Sequence, residues 1–153
     1  MPVLHCKLER RQAIVEIGLQ RFVPHASAVQ SQDLALQIPV NCYRALIDTG
    51  ARRTCLSRST IITENLTSHS KRVIQNVHNQ QVHRLYFINI GFMCKTDNIN
   101  GGESDRSYFA VENPCEAINI ADNENFDAII GMDVLEQFDF QFEKSGDFTL
   151  KLP

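Results

Sequence analysis

Hydrophobic residues alternate with polar residues at a period of two in several short stretches of this chain. Val15, Ile17 and Leu19 fall on one face of such a stretch. The same spacing recurs at Leu34, Leu36, Ile38 and Val40, and at Ile88, Ile90 and Phe92. Because successive side chains of a strand point to opposite faces, this spacing is typical of half-buried β-strands. The chain is therefore predicted to be mostly β.

The end of the chain carries the clearest alternation. Two apolar runs, 138–142 and 148–152, are separated by a short turn that contains Gly146. Alternating runs joined by a glycine-containing turn predict a β-hairpin. Its phenylalanines, from Phe138 to Phe148, are expected in the core or in a sheet between subunits.

Helical periodicity is confined to short segments. A helix is predicted over 132–138, where the apolar residues share a face and Asp133 lies near the first amides. A second helical turn is predicted after Ser57, with Ser59 as its candidate cap. The polar stretch 95–107 has the composition of a mobile surface loop.

The length of 153 residues is enough for one domain with a core of its own. We expect residues 1–12 to form an N-terminal extension and residues 13–153 a single domain. The formal net charge of -3, with no run of Lys or Arg longer than two, predicts no nucleic-acid partner. No stretch approaches the length of a membrane span and no signal-peptide core is present, so no membrane partner is expected.

The cysteines bear on the compartment. There are five, an odd number, and no two have the C-x-x-C spacing of zinc sites or redox dithiols. Free thiols in a reducing compartment are the simplest interpretation, which predicts a cytoplasmic protein. Cys42 and Cys55 lie on either side of the segment described next, so control by oxidation is a minor alternative to ordinary packing.

The tripeptide Asp48-Thr49-Gly50 follows the apolar run Ala45-Leu46-Ile47 and precedes Ala51. This setting indicates a carboxylate delivered by the end of a buried strand, and Asp48 is the candidate catalytic residue. A turn aspartate is the plainer alternative, since these three residues are also common in turns.

A second motif, Ile129-Ile130-Gly131-Met132-Asp133, combines an apolar strand with a glycine and a helix start. The two motifs together resemble those of the retropepsin-like, or retroviral-type, aspartic protease family. The resemblance covers about residues 13–152. It implies an all-β fold, a closed β-barrel with one short helix after Gly131, assembled as a homodimer. Gly131 is expected to allow close strand-helix packing, and Asp133 to start the helix rather than to transfer protons.

The resemblance also implies a chemistry. In aspartic proteases as a class, two neighbouring carboxylates share one proton, so that one accepts a proton from water while the other protonates the substrate carbonyl. This chain contains one Asp-Thr-Gly and no Asp-Ser-Gly, which leaves Asp48 without a second such aspartate. The expected enzyme is an aspartic endopeptidase in which Asp48 of two subunits meets at a two-fold axis. Its partners would be a second copy and a polypeptide substrate.

Further site residues follow from the same resemblance. Thr49 would brace the two catalytic loops by a hydrogen bond across the dimer axis, and Gly50 would give the substrate room. The flap, a hairpin that closes over the peptide, is expected at 72–86 with its tip at 78–81. The implied substrate-binding residues lie in the loop after Asp48 and in the flap: Ala51, Arg52, Val77, His78, Asn79 and Gln80.

Two features depart from the viral pattern. No glycine occurs between Ala51 and Gly91, whereas viral flaps are glycine-rich. Arg52 and Arg53 stand where viral members carry acidic residues. They would either favour acidic side chains of the substrate or pair with acidic residues of the partner subunit.

Other classes of function remain as alternatives. The same fold could serve as a dimerisation or peptide-binding module with little or no hydrolysis, or the chain could be an unrelated small β-barrel scaffold. The five histidines lack H-E-x-x-H spacing and the polar stretch lacks EF-hand spacing, so no metal and no cofactor is expected.

Overall fold

A computed structural model of the chain describes residues 3–22, 40–75, 77–96 and 105–152, and these residues form a mostly β fold. The strands are β1 (Val3–Lys7), β2 (Ile14–Arg21), β3 (Asn41–Ile47), β4 (Cys55–Ser57), β5 (Ser70–Gln75), β6 (Gln80–Thr96), β7 (Asp105–Ala110), β8 (Cys115–Ile120), β9 (Ala128–Ile130), β10 (Asp139–Phe142) and β11 (Asp147–Lys151). The helices are α1 (Arg58–Thr63) and α2 (Met132–Leu135). The prediction of a mostly β chain is confirmed.

The strands form two sheets. The larger has the order β2-β3-β9-β4-β8-β6-β5, with β7 also paired to β6 and β2 also paired to β6. The smaller has the order β1-β11-β10. Most neighbours are antiparallel, but β3 runs parallel to β9 and β4 runs parallel to β8. The predicted closure into a barrel and the predicted homodimer stay predictions.

Buried side chains of the described residues form a large core cluster and a small one, and the period-two faces supply much of the large cluster. Val15, Ile17 and Leu19 of β2 are buried, as predicted. Ile88, Ile90 and Phe92 of β6 are fully buried, because this long strand is paired along its middle with both β2 and β8. The alternation at Leu34, Leu36 and Ile38 lies outside the described residues.

The predicted terminal hairpin is present as β10 and β11. Gly146 lies in its turn with a φ of 88°, a left-handed conformation that glycine adopts without steric cost. Phe148, Leu150 and Leu152 are fully buried, and the Phe140 ring lies 5.9 Å from the Phe148 ring. Phe142 is exposed at the end of its strand, so it is not a core residue of this chain.

The N-terminal residues take part in the smaller sheet. Strand β1, within the predicted extension 1–12, pairs antiparallel with β11, with Leu4 opposite Leu150. Leu4 belongs to the same core cluster as the β2 and β6 residues. Residues 3–7 therefore pack onto the predicted domain.

Both helices differ in detail from prediction. Helix α2 ends at Leu135 rather than 138, because the amides of Gln137 and Phe138 bond to carbonyls three residues back in a tighter turn. The cap of α1 is Ser57 and not Ser59, since the Ser57 hydroxyl accepts a hydrogen bond from the Thr60 amide.

Strand structure extends into both ends of the segment 95–107, which was predicted to be a loop. Strand β6 continues to Thr96 and β7 begins at Asp105, and these two residues are opposite each other in an antiparallel pairing. Backbone pairing between the two strands therefore prevails over polar composition at both ends. Residues 97–104 lie outside the described residues.

Candidate active site

Asp48 follows the last residue of β3 at the point where two parallel strands end side by side. Ile47 of β3 is opposite Ile130 of β9, and the Asp48 amide donates a hydrogen bond to the Ile130 carbonyl at 3.1 Å. The two motifs found in the sequence are therefore neighbours in space. Asp48 is half-buried at this junction.

The loop after β3 orients the Asp48 carboxylate. Its Oδ1 atom accepts a hydrogen bond from the Gly50 amide at 2.8 Å, and its backbone carbonyl accepts one from the Ala51 amide at 3.2 Å. Thr49 is exposed, and within the part of the chain that the structure describes its hydroxyl has no hydrogen-bond partner. The loop thus holds an oriented carboxylate next in sequence to an exposed hydroxyl.

Thr54 ties this loop to the second motif. Its side chain is fully buried, and its hydroxyl donates to Asp133 Oδ1 at 2.9 Å while it accepts from the Gly131 amide at 3.1 Å. The Thr54 amide also donates to the Asp133 carboxylate at 3.0 Å. Sequence analysis missed Thr54, since its partners lie more than 70 residues away and no local pattern distinguishes it from other threonines.

Helix α2 is docked on the Asp48 loop through its backbone as well. The Met132 amide donates to the Ala51 carbonyl at 2.8 Å, and the Asp133 amide donates to the Arg52 carbonyl at 3.3 Å. Asp133 also accepts from the Val134 amide at 3.0 Å, as expected of a residue at a helix start. Asp133 therefore has a structural role, in which it holds the loop against the helix.

Replacement of Thr54 by Val is expected to destabilise the fold. Valine keeps the shape of threonine but leaves the Gly131 amide and one Asp133 oxygen buried without this partner, at a cost of about 2–4 kcal/mol. For a chain of this size the melting temperature should fall by roughly 5–15 °C. Differential scanning calorimetry at one fixed protein concentration measures the change.

Thr54→Ser is the matched control, because it keeps the hydroxyl and removes only a methyl group. It should unfold much closer to the wild-type temperature. Equal melting temperatures for Thr54→Val and wild type would contradict the role given to this hydroxyl.

The predicted flap is present as the β5–β6 hairpin, but its tip is shifted. Gln75 is opposite Gln80, and the described residues of the turn between them are 77–79. Gln80 and Gln81 belong to β6 instead of the tip, because backbone pairing starts two residues earlier than expected. Val77, His78 and Asn79 are all exposed in this turn.

An open cleft of about 780 Å³ lies between the Asp48 loop and the hairpin. Of the predicted site residues, the cleft wall includes Gly50, Ala51, Arg52 and Val77. The predicted flap range also supplies Val73, Ile74 and Gln75 to the wall. Sequence analysis missed Cys55 of β4 and Ile118 of β8, because only the pairing of distant strands brings them to the cleft. Five of the predicted site residues are not part of the cleft wall that the described residues form: Asp48, Thr49, His78, Asn79 and Gln80.

The two arginines after Ala51 have different surroundings. Arg53 forms an ion pair with Glu116 of the same chain, with 2.7 Å between Nη1 and Oε1. Glu116 also lies 3.4 Å from His69 Nε2, and the His69 ring stacks on Phe87 with 4.1 Å between centroids. Arg53 therefore has a partner within its own chain, whereas the sequence analysis had considered acidic residues of a second subunit.

The thiols near the site are buried. Burial, together with the charges of Asp133 and Asp48, raises the pKa of Cys55 to about 12. Burial also raises the pKa of Cys115, whose Sγ lies 3.6 Å from Asp133 Oδ2. Cys42 is exposed, and all five cysteines are free. The raised pKa of Cys55 keeps it protonated and disfavours its oxidation near neutral pH.

Within 3–22, 40–75, 77–96 and 105–152, no group of three or more His, Cys, Asp or Glu side chains could hold a metal ion. Over the same ranges, none of the helices has the length and apolar character that a membrane span requires.

Comparison with known proteins relates this geometry to solved structures. A retropepsin-like aspartic protease from Rickettsia conorii aligns with a TM-score of 0.55 and 10% identity, over 97% of this chain and 90% of that protein. The retroviral protease-like domain of Ddi1 from Leishmania major aligns with a TM-score of 0.38 and 14% identity, over 86% of this chain and 82% of that domain. No protein-family model and no curated protein sequence matches the chain. The alignment with the Rickettsia conorii protein shows that the chain has a retropepsin-like fold.

Proposed function

We propose that this chain, which has a retropepsin-like fold, is an aspartic endopeptidase that is active as a homodimer with Asp48 of each subunit in one dyad. The observation that carries the proposal is the placement of Asp48. Asp48 lies at the junction of β3 and β9, its carboxylate is oriented by the Gly50 amide, and the residues that follow it, Gly50 to Arg53, line a cleft under the β5–β6 hairpin. Such an arrangement positions an acid or base beside a bound chain.

The requirement for two subunits follows from the composition of the site. Hydrolysis of an amide without a metal needs one group to deprotonate water and another to protonate the carbonyl oxygen. The chain has one Asp-Thr-Gly, and Asp133, which is close by, already accepts hydrogen bonds from Thr54 and Val134. A second Asp48 from another copy supplies the missing group, and the exposed Thr49 hydroxyl is available for a contact across the two-fold axis.

In the proposed reaction, one Asp48 carboxylate accepts a proton from water as the water oxygen bonds to the scissile carbonyl carbon. The other Asp48 gives its proton to the carbonyl oxygen, which produces a tetrahedral diol. The Asp48 that took the proton from water then gives it to the amide nitrogen as the carbon-nitrogen bond breaks, while the other Asp48 carboxylate takes a proton from one hydroxyl of the diol. The products are an acid and an amine, and one proton again remains on the dyad.

The β5–β6 hairpin is the proposed flap. It forms one wall of the cleft, and its closure over an extended peptide would exclude water from the dyad. Val77 is the described turn residue that lines the cleft, whereas His78 and Asn79 do not line it in the single chain. We retain Gln80, His78 and Asn79 as candidates for contact with substrate in the dimer.

Mixing of wild-type and Asp48→Asn chains tests the shared dyad. With a threefold excess of the variant at equilibrium, activity per wild-type chain should fall to about one quarter, since only wild-type pairs hold two aspartates. Cleavage of a protein substrate at mildly acidic pH is followed by mass spectrometry.

Asp139→Asn is the control for the mixing experiment, because Asp139 is an exposed carboxylate at the start of β10. The same excess of this variant should leave activity per total chain unchanged. If excess Asp48→Asn leaves activity per wild-type chain unaltered, one subunit is sufficient and the shared dyad is wrong.

A second candidate function is a dimerisation or peptide-binding module with little or no hydrolysis. It is favoured by the absence of glycine between Ala51 and Gly91, a range that includes the turn of the hairpin, and by Arg52 on the cleft wall formed by the loop after Asp48. Peptide binding without cleavage by either wild type or Asp48→Asn would select it. The remaining alternative, a small β-barrel scaffold, need not dimerise through the Asp48 loop, so sedimentation at micromolar concentration bears on it.

We propose the cytoplasm as the compartment, because the five free cysteines fit a reducing environment. We propose no nucleic-acid and no membrane partner, on the basis of the net charge of -3 and the lack of a long apolar segment in the sequence.

A further inference from the structure

Charge is distributed unevenly along this chain. Residues 49–96 contain a single acidic residue, Glu64, although the chain as a whole has a net charge of -3. The same segment contains seven basic residues: Arg52, Arg53, Arg58, Lys71, Arg72, Arg84 and Lys95. It includes the loop after Asp48 and the whole β5–β6 hairpin. Both walls of the cleft therefore come from a basic part of an otherwise acidic protein.

Arg52 and Arg53 both line the cleft, but only one of them is neutralised. Glu116 pairs with Arg53, whose side chain is about one-third exposed. Arg52 is exposed, and no carboxylate among the described residues pairs with it. Arg52 is thus the unneutralised charge of the cleft, within four residues of Asp48.

The rest of the wall is mainly apolar. Val73 and Val77 of the hairpin are exposed and line the cleft together with Ile74 and Ile118. An exposed apolar surface beside a guanidinium group is complementary to a chain that presents both apolar side chains and a carboxylate. A highly charged polymer would leave this apolar surface uncovered.

We propose that Arg52 is a specificity-determining residue, which binds a glutamate or aspartate side chain of an extended peptide whose neighbouring residues are apolar. This inference rests on the proposed function of the cleft as the peptide site. The Arg52 guanidinium forms a charge-assisted hydrogen bond with the peptide carboxylate, and Val73, Val77 and Ile118 contact the apolar side chains. Arg53 stays with Glu116 and holds the wall in place.

Binding is tested separately from hydrolysis. Asp48→Asn is incubated with pairs of synthetic peptides of apolar sequence that contain either Glu or Gln at one scanned position. Retained peptides are quantified by mass spectrometry. At the best position Glu should be favoured over Gln by roughly three- to tenfold, and less in 0.5 M salt.

Three substitutions in the Asp48→Asn background identify the residue. Arg52→Gln should bring the ratio of retained Glu peptide to retained Gln peptide close to one. Arg52→Glu should retain a Lys peptide better than either the Glu or the Gln peptide. Arg52→Lys should retain part of the preference, because it keeps the charge. Arg58→Gln is the matched control, since Arg58 is an exposed arginine on α1, and it should leave the ratio unchanged.

Each outcome bears on one claim. A ratio near one in Asp48→Asn, or a ratio that Arg52→Gln does not alter, overturns the specificity role. Tighter Arg52-dependent binding of a single-stranded RNA oligonucleotide than of Glu peptides overturns the peptide assignment. If wild type binds Glu peptides selectively but cleaves no peptide, the binding role of Arg52 is supported and the proposed endopeptidase activity is contradicted. Cleavage by wild type with equal kcat/KM for Glu and Gln peptides supports the endopeptidase and overturns the specificity role of Arg52.

Discussion

Asp48→Asn is expected to lower the rate of peptide hydrolysis by about 10²- to 10⁴-fold while the fold is retained. The rate falls because the amide of asparagine neither accepts the proton of water nor donates one to the substrate carbonyl as a carboxylic acid does. The structure survives because the amide oxygen of asparagine can accept the Gly50 hydrogen bond that Asp48 Oδ1 now accepts. Kinetics on one cleaved peptide, with circular dichroism on both proteins, measure the two effects.

Asp139→Asn makes the same chemical change on an exposed carboxylate and should retain wild-type kinetics. Equal rates for wild type and Asp48→Asn would remove Asp48 from the reaction. Loss of the native circular dichroism spectrum in Asp48→Asn would show that the carboxylate is needed for folding, contrary to its place in the structure.

Gly131→Ala is expected to destabilise the protein strongly, by about 3 kcal/mol or more, and to lower activity with it. A Cβ atom on Gly131 would lie 2.6 Å from the backbone carbon of Arg53 and 2.7 Å from its oxygen. Backbone atoms cannot rotate away as the end of a side chain can. The Asp48 loop would have to move away from β9, and chemical denaturation with an activity assay would detect both consequences.

Gly50→Ala is the informative comparison. Its Cβ atom would lie 3.2 Å from Asp48 Oδ1, which is tight but does not involve packed backbone. The loss of stability should be small, although the proposed active carboxylate is crowded. If Gly131→Ala and wild type unfold at the same denaturant concentration, the close packing of Gly131 against the Arg53 backbone is contradicted.

The sequence predicted the architecture where local spacing was decisive. The alternation at Val15, Ile17 and Leu19 and the terminal hairpin are confirmed, because each reflects which side of one strand faces the core. Prediction from the sequence was less successful where pairing with another strand decides whether a segment is strand or loop. The loop predicted at 95–107 is partly strand because β6 and β7 pair there.

The candidate site divides in the same way. The Asp48 and Gly131 motifs could be recognised from residue order, since the position of a carboxylate or a glycine at a strand end is a local property. Thr54 could not be recognised from residue order, because its buried hydroxyl forms its hydrogen bonds only when the fold brings Asp133 and Gly131 next to it. Those contacts connect residues that are 79 and 77 positions apart.

The two arginines show the difference most clearly. Residue order placed Arg52 and Arg53 beside Asp48, named Arg52 as a substrate-binding residue, and left open for both whether substrate or a second subunit neutralises them. The fold distinguishes them by the direction of their side chains, since Glu116 of a different strand reaches Arg53 and no described carboxylate pairs with Arg52. Strands and motifs can therefore be inferred from the chain alone, whereas charge neutralisation within a site depends on long-range packing.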